Sequence, residues 1–278
     1  MSDIIVVKCG GTAAVDPAAV CADVAAVAAA GRRLVLVHGG SAQIDALAAR
    51  LGVVQRRITA PDGSSARYTD PATIEVVLLA LAGSVKPRLV AALAGAGVPA
   101  VGLTGLDAGL LVARRNGPHR AVVDGRTRLV RDNHTGRIVE VRAGLLRTLL
   151  DAGAVPVVSP PARGLDGAPV NVDADRAAAA IAGALGARSL LLLTGAPGVL
   201  ADPADERTVR GVVALTPDGA PPAGVGGGAT VKLLAARDAL RAGVPHVMVA
   251  DGRRPRAVRA ALDGVGTRVC LAGAAVPE

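Results

Sequence analysis

Leu34-Val35-Leu36-Val37-His38-Gly39-Gly40-Ser41 is a continuous apolar run that ends in two glycines and opens a helical pattern. A fully apolar run followed by a helix is what a strand covered on both faces requires. The same plan occurs upstream in Ile4-Ile5-Val6-Val7-Lys8-Cys9-Gly10-Gly11-Thr12. Further apolar runs lie at Ala100–Leu103, Val155–Ser159, Leu190–Thr194 and His246–Ala250. Helical patterns separate them, at Pro17–Ala30, Ala42–Leu51, Ala72–Ala94, Ala143–Ala152, Ala174–Leu185 and Thr230–Ala242. Gly31, Gly52, Gly95, Gly153, Gly186 and Gly243 follow or close helical stretches, where a left-handed C-terminal cap is expected. Strands alternating with helices predict an α/β fold, a three-layer αβα sandwich with a mostly parallel central sheet. In such sheets ligands bind at the carboxyl ends of the strands.

Leu110–Val141 breaks the rhythm. Short apolar runs alternate with turn signals at Asn116-Gly117-Pro118, Asp124-Gly125 and Thr135-Gly136, which predicts a β-hairpin excursion. The segment is basic: Arg114, Arg115, Arg120, Arg126, Arg128, Arg131 and Arg137 stand against Asp124, Asp132 and Glu140. No long linker divides the chain. Pro160-Pro161, followed by a loop rich in glycine and aspartate, is the best boundary, giving lobes of residues 1–160 and 161–278.

The 278 residues are 51% hydrophobic and carry a formal net charge of +8, with no Phe, no Trp and one Tyr. That composition excludes wholesale disorder. It also argues against single-strand nucleic-acid binding, which uses aromatic platforms. The charge suits phosphate, a nucleic-acid backbone or an acidic protein. Cys9, Cys21 and Cys270 have no CxxC spacing, so a disulfide framework or zinc site is not expected and a reducing cytoplasm is. The Met-Ser-Asp start lacks the features of a signal peptide. Leu89–Leu106 is uncharged, but its glycines and Pro99 make it a helix end, a turn and a strand rather than a membrane span.

Glycines after a strand let the backbone turn and aim N–H groups at a phosphate, and a helix N-terminus adds to that field. Lys8-Cys9-Gly10-Gly11 and His38-Gly39-Gly40-Ser41 both have this form, although each is also an ordinary strand-to-helix turn. Arg67-Tyr68-Thr69-Asp70 precedes a helix that Asp70 or Thr69 can cap, with Arg67 expected on a loop and suited to a carboxylate. Asn171-Val172-Asp173-Ala174-Asp175 leads into an Ala-rich helix; Asp173 is the expected N-cap, which leaves Asn171 and Asp175 unexplained. Gly226-Gly227-Gly228-Ala229-Thr230-Val231-Lys232 opens another helix and puts a lysine in its first turn, against the dipole unless an anion is near. His38, His119, His134 and His246 have no metal-ligand spacing; His119 and His134 are expected to face solvent, and His246 to begin a strand.

Taken in order, these motifs resemble the amino acid kinase family, in the branch of the acetylglutamate kinases, over essentially the whole chain. His38-Gly39-Gly40-Ser41-Ala42, Gly102-Leu103-Thr104-Gly105-Leu106-Asp107 with Arg114-Arg115, Thr135-Gly136 and Ala250-Asp251-Gly252-Arg253 are most similar to kinases of the carrier-linked lysine pathway. Those enzymes phosphorylate α-aminoadipate attached through its amino group to a small acidic carrier protein of the LysW type. The resemblance implies ATP and Mg²⁺, no dedicated protein metal ligands, an acyl phosphate product and a homodimer. It implies catalytic roles for Lys8, Lys232 and Asp175, and phosphate binding by Gly10, Gly11, Gly39 and Gly40. Substrate would be gripped by Arg67, Asn171, Gly40 and Ser41. Nucleotide would be bound in the C-terminal lobe by Thr194, Gly195, Gly228 and Lys232, although Thr194-Gly195-Ala196-Pro197-Gly198 departs from the usual Ser/Thr-Asp/Asn-Val-x-Gly. The N-terminal lobe would hold the amino acid, the carrier and the dimer contact. Arg114, Arg115, Arg120, Arg126, Arg128 and Arg131 are the candidate docking surface for the acidic carrier; an ordinary solvated hairpin is the alternative. An acetylglutamate kinase acting on free N-acetyl-L-glutamate remains open. So does a catalytically silent regulatory or nucleic-acid-binding protein, against which the two lysines and Asp175 speak.

Overall fold

The computed structural model describes residues 3–10, 14–59, 65–123, 126–216, 222 and 225–273. The chain runs β1 (Ile4–Cys9), α1 (Pro17–Ala29), β2 (Arg33–His38), α2 (Ser41–Arg50), β3 (Arg56–Thr59), β4 (Ser65–Tyr68) and α3 (Pro71–Ala80). A π-helical segment, Leu81–Val85, joins α3 to α4 (Lys86–Gly95). There follow β5 (Ala100–Gly105), β6 (Leu111–Arg115), β7 (His119–Val123), β8 (Arg126–Val130), β9 (Gly136–Val141) and α5 (Gly144–Asp151). The remainder is β10 (Val155–Gly164), β11 (Pro169–Val170), α6 (Ala174–Leu185), β12 (Ser189–Thr194), β13 (Val212–Leu215), α7 (Gly227–Arg241), β14 (His246–Asp251), α8 (Ala257–Leu262) and β15 (Thr267–Leu271).

The fold is the expected α/β sandwich. The main sheet has the order β13-β15-β14-β12-β1-β2-β10-β6-β9, with β5 and β11 also paired to β10. Its centre, β14-β12-β1-β2-β10, is parallel throughout. Strand parity sorts the core into two layers. Ile4, Val6, Val35, Val37, Leu190 and Leu192 pack under α5, α6 and α7. Ile5, Val7, Leu34, Leu36, Leu191 and Leu193 pack under α1, α4 and α8. Successive side chains of a strand point to opposite faces, so a strand apolar at every position is the one that can serve both layers.

The excursion is two nested hairpins rather than one. β6 pairs with β9 inside the main sheet, whereas β7 pairs with β8 and with β3. A second, antiparallel sheet results, in the order β4-β3-β7-β8, around Ile58, Tyr68, Ala121, Val123 and Val130. β3 and β4 are too short and too polar to be read as strands alone, and Arg67 therefore lies in a strand, not on the expected loop.

The stretch expected as one helix from Ala72 to Ala94 is α3, the π-segment and α4. Pro87 has no N–H for the carbonyl four residues back. The backbone widens just before it, where the Lys86 N–H donates to the Leu81 carbonyl five residues earlier. This body, Pro71–Gly95, is long and apolar enough to cross a membrane; here it packs on α1, α2, β5 and β10. Leu89–Leu106 is indeed a helix end, a turn and a strand. The left-handed glycine after α4 is Gly97 rather than the expected Gly95. Pro160-Pro161 falls within β10, so the main sheet runs through the point chosen as a lobe boundary.

Candidate active site

Lys8 shares strand parity with Ile4 and Val6 and so points to the face that carries α6 and α7. Asp173 caps α6, accepting from the N–H groups of Asp175 (2.9 Å) and Arg176 (3.0 Å). That cap places Asp175 in the first turn, where the helix dipole favours a carboxylate. Gly183 lets α7 lie close on α6: a Cβ there would stand 2.6 Å from the Cβ of Ala242. α7 starts at Gly227, three residues before the expected Thr230, so Lys232 sits in the second turn and not the first.

These elements bring three charges together. Lys8 Nζ lies 2.8 Å from Asp175 Oδ1, and Lys232 Nζ donates to Asp175 Oδ2 at 3.0 Å. Lys8 and Asp175 are buried, at 5% and 4% exposure. Burial opposes ionisation of Asp175, but the ammonium groups of Lys8 and Lys232 outweigh it and hold the carboxyl below its ordinary range. Burial likewise works against the Lys8 ammonium, and Asp175 outweighs it and raises the lysine's pKa. Asp173 lies in the field of both lysines as well, and burial and the neighbouring Asp175 charge raise its pKa.

The glycine loops surround this centre. Gly10 follows β1, where a Cβ would meet the Leu193 carbonyl oxygen at 3.1 Å; Gly11 lies outside the described residues. Gly39 faces the start of α6, with the Ala174 Cβ 3.5 Å from where its own Cβ would be. Gly40 is the N-cap of α2, where a side chain would strike Leu81 Cδ2 at 2.7 Å. Neither Gly40 nor Gly226, the N-cap of α7, provides a side-chain hydrogen bond to its helix. The leading N–H groups of both helices, with Ser41 in the first turn of α2, are therefore open to an anion.

Asn171 Nδ2 donates to Thr69 Oγ1 at 3.1 Å, which ties the segment before α6 to the segment before α3. Asp70 caps α3 through the Thr73 N–H at 2.8 Å. Arg67 is turned toward Asp45, at 2.6 Å, and Gln55. Thr194 ends β12 opposite Asp251, and its carbonyl accepts the Gly252 N–H at 2.8 Å. Gly195 follows it, and exposed Gly228 lies in the first turn of α7.

The expected docking arginines fall into two groups. Arg114 and half-buried Arg115, with Asn116, Gly117, Pro118 and Arg137, line an open cleft of about 460 Å³. Arg120, Arg126, Arg128 and Arg131 are exposed on and beside the β7–β8 hairpin. Arg115 Nε donates to the Asn133 carbonyl (2.8 Å), and Asn133 Oδ1 accepts from the Thr69 N–H (3.1 Å), so the cleft adjoins the Asn171 segment.

Chain patterning does not reveal the partners Asp45 and Gln55 of Arg67, nor the Thr69–Asn171 bond. His134, expected in solvent, is half-buried; its N–H donates to the Thr69 carbonyl at 2.7 Å. The His119 side chain lies outside what the structure describes. His246 begins β14 as expected, and all three cysteines are free thiols.

The model of the amino acid kinase family matches residues 3–251. The chain is 39% identical over 267 residues to the [LysW]-aminoadipate kinase of Deinococcus radiodurans, covering 96% of this chain and 91% of that protein. It is 42% identical over 271 residues to the acetylglutamate kinase of Frankia alni, covering 95% of this chain and 76% of that one. Among solved structures, the N-acetylglutamate synthase of Neisseria gonorrhoeae, crystallised with coenzyme A and L-arginine, superimposes with a TM-score of 0.76 at 26% identity. That match covers 96% of this chain and 61% of the synthase.

Proposed function

The chain belongs to the amino acid kinase family, and from that premise we propose that it phosphorylates the side-chain carboxylate of an amino acid carried on an acidic protein. The amino acid is α-aminoadipate or glutamate, attached through its amino group, and the product is an acyl phosphate. The observation that carries the reading is the Lys8–Asp175–Lys232 triad, with Lys8 and Asp175 buried, beside two glycine-opened helices.

A carboxylate acceptor is already ionised at neutral pH, so no general base is needed; the barrier is repulsion between two anions and their alignment. ATP would supply the γ-phosphoryl group, with Mg²⁺ offsetting phosphate charge. Lys8 and Lys232 hold positive charge where that phosphoryl group passes, and Asp175 fixes both ammonium groups. Gly10, Gly11, Gly39 and Gly40 turn backbone N–H groups toward the phosphate and the acceptor, with Ser41 beside them. Asn171 and Arg67 hold the amino-acid part. Thr194, Gly195, Gly228 and Lys232 hold the nucleotide. Mg²⁺ would be held mainly by phosphate oxygens and water. We read residues 1–160 as the substrate and dimer lobe and 161–278 as the ATP lobe, in a cytoplasmic homodimer. The exposed arginines Arg114, Arg120, Arg126, Arg128 and Arg131, with Arg115, are the docking surface for the carrier.

The 42% identity to an acetylglutamate kinase favours a second reading, phosphorylation of free N-acetyl-L-glutamate. Steady-state assays with a carrier protein bearing aminoadipate or glutamate, beside free N-acetyl-L-glutamate, separate the two. Efficient transfer only to the carrier adduct is expected; efficient transfer only to the free acid overturns the first reading in favour of the second.

A further inference from the structure

His38 ends β2 immediately before the Gly39-Gly40 turn and is 2% exposed. Its Nδ1–H donates to the Gly39 carbonyl oxygen at 2.9 Å. A carbonyl only accepts, so this contact assigns the proton to Nδ1 and leaves Nε2 a bare acceptor. Nε2 is buried and has no hydrogen-bond partner among the described residues. The ring lines a small, partly open void together with Cys9, Gly10, Gly39 and Gln43. Burial pushes its pKa down to about 4, with Lys86 and Lys8 acting in the same direction. The ring is thus neutral near pH 7, and a fixed tautomer is available to do one job.

The peptide joining Gly39 to Gly40 is trans, so its C=O and N–H point in opposite directions. A glycine pair has little steric preference of its own, and that peptide can flip unless something holds it. His38 pulls the carbonyl inward, under the loop. The Gly40 N–H is thereby turned the opposite way, at the open N-terminus of α2.

We propose that His38 is a positioning residue: its Nδ1–H locks the Gly39–Gly40 peptide so that the Gly40 N–H faces the transferring phosphoryl group. This inference rests on the kinase reading. It adds a residue that acts through the backbone and touches neither substrate nor nucleotide.

Two substitutions separate it from a packing role. Asn carries its N–H at the position of Nδ1, whereas Gln carries it one bond further out, at the position of Nε2. The wild type, His38→Asn and His38→Gln are compared by calorimetric titration with a non-hydrolysable ATP analogue and with ADP, and by kcat where transfer is measured. His38→Asn is expected to keep the wild-type preference for the ATP analogue over ADP. His38→Gln is expected to lose about tenfold or more of that preference and of kcat, as when an aimed backbone donor is misplaced. Thermal melting shows that each variant is folded. Equal loss in both variants, or no loss in His38→Gln, overturns the inference. A wild-type protein with no preference for the ATP analogue overturns the kinase reading and, with it, this inference.

Discussion

Lys8 Nζ stands 2.8 Å from Asp175 Oδ1, the two side chains meeting between β1 and the first turn of α6, and both are buried. The pair is made by strand parity on one side and by the Asp173 cap on the other. The second oxygen of the carboxylate holds Lys232. One carboxylate therefore sets the separation of two cations, which is what phosphoryl transfer between anions needs.

Removing Asp175 leaves Lys8 buried without its counter-charge. Asp175→Ala is expected to cost about 3–5 kcal/mol of stability, the usual penalty for breaking a buried pair, and Asp175→Asn to lower kcat. Lys8→Ala and Lys232→Ala are each expected to lower kcat by about 10²–10³. Coupled ADP release checks the rates and chemical denaturation the stabilities. Unchanged kcat in either lysine variant would remove the triad from the chemistry.

Asp23 of α1 caps α8 from the far end of the chain. Its Oδ2 accepts the N–H groups of Val258 (2.7 Å) and Arg259 (3.0 Å), and its Oδ1 pairs with the Arg259 side chain. The N-cap residue of α8, Arg256, gives no side-chain bond of its own. Asp23→Ala is expected to cost about 1–3 kcal/mol, because donors to a buried carboxylate are left unmet. The melting temperature falls by several degrees while KM for ATP stays within about twofold, since a typical domain of this size loses roughly 2–4 °C per kcal/mol. Scanning calorimetry with steady-state kinetics reads both.

The pH dependence of stability carries the mark of His38. The unfolded chain takes a proton on this ring below about pH 6.5, whereas the folded protein holds it neutral down to about 4. The unfolded state binds more protons across that window, so stability falls as the pH drops from 6.5 to 4, by on the order of 3 kcal/mol. Urea midpoints at pH 7, 5.5 and 4.5 are expected to shift less in His38→Asn than in the wild type. Parallel curves would show that the ring titrates normally in the fold.

Charge reversal on the β7–β8 hairpin tests docking. Arg126 and Arg128 are exposed on β8, the end strand of the second sheet, whereas Lys8 lies on β1 of the main sheet. The double variant Arg126→Glu with Arg128→Glu is expected to raise KM for the carrier substrate roughly tenfold and to flatten its dependence on salt, with kcat little changed. KM for ATP is the internal control. An unaltered carrier KM would make the hairpin an ordinary solvated surface.

The parallel centre of the main sheet was legible in the chain because β1, β2, β12 and β14 are nearly continuous apolar runs, as doubly covered strands require, whereas β13 and β15 toward its edge were not read as strands. The π-segment left a trace in Pro87. The second sheet did not announce itself: β3 and β4 carry Arg56, Arg57 and Arg67, and they are strands because β7 offers an edge to pair with. The same applies to His134, whose backbone is held by Thr69 from another part of the chain.

Taken by itself, the sequence determined the layer architecture, the glycine turns at the strand ends, the Asp70 and Asp173 caps and the residue types of the proposed catalytic centre. These follow from interactions within a few residues: side-chain periodicity, backbone freedom and first-turn hydrogen bonding. Only the tertiary structure decided that Lys8, Asp175 and Lys232 share one ion cluster, that Arg67 meets Asp45, and that Asn171 is tied to Thr69. Such contacts join residues far apart in the chain. They exist because parallel strands need long crossovers, which bring distant segments to a common edge of the sheet.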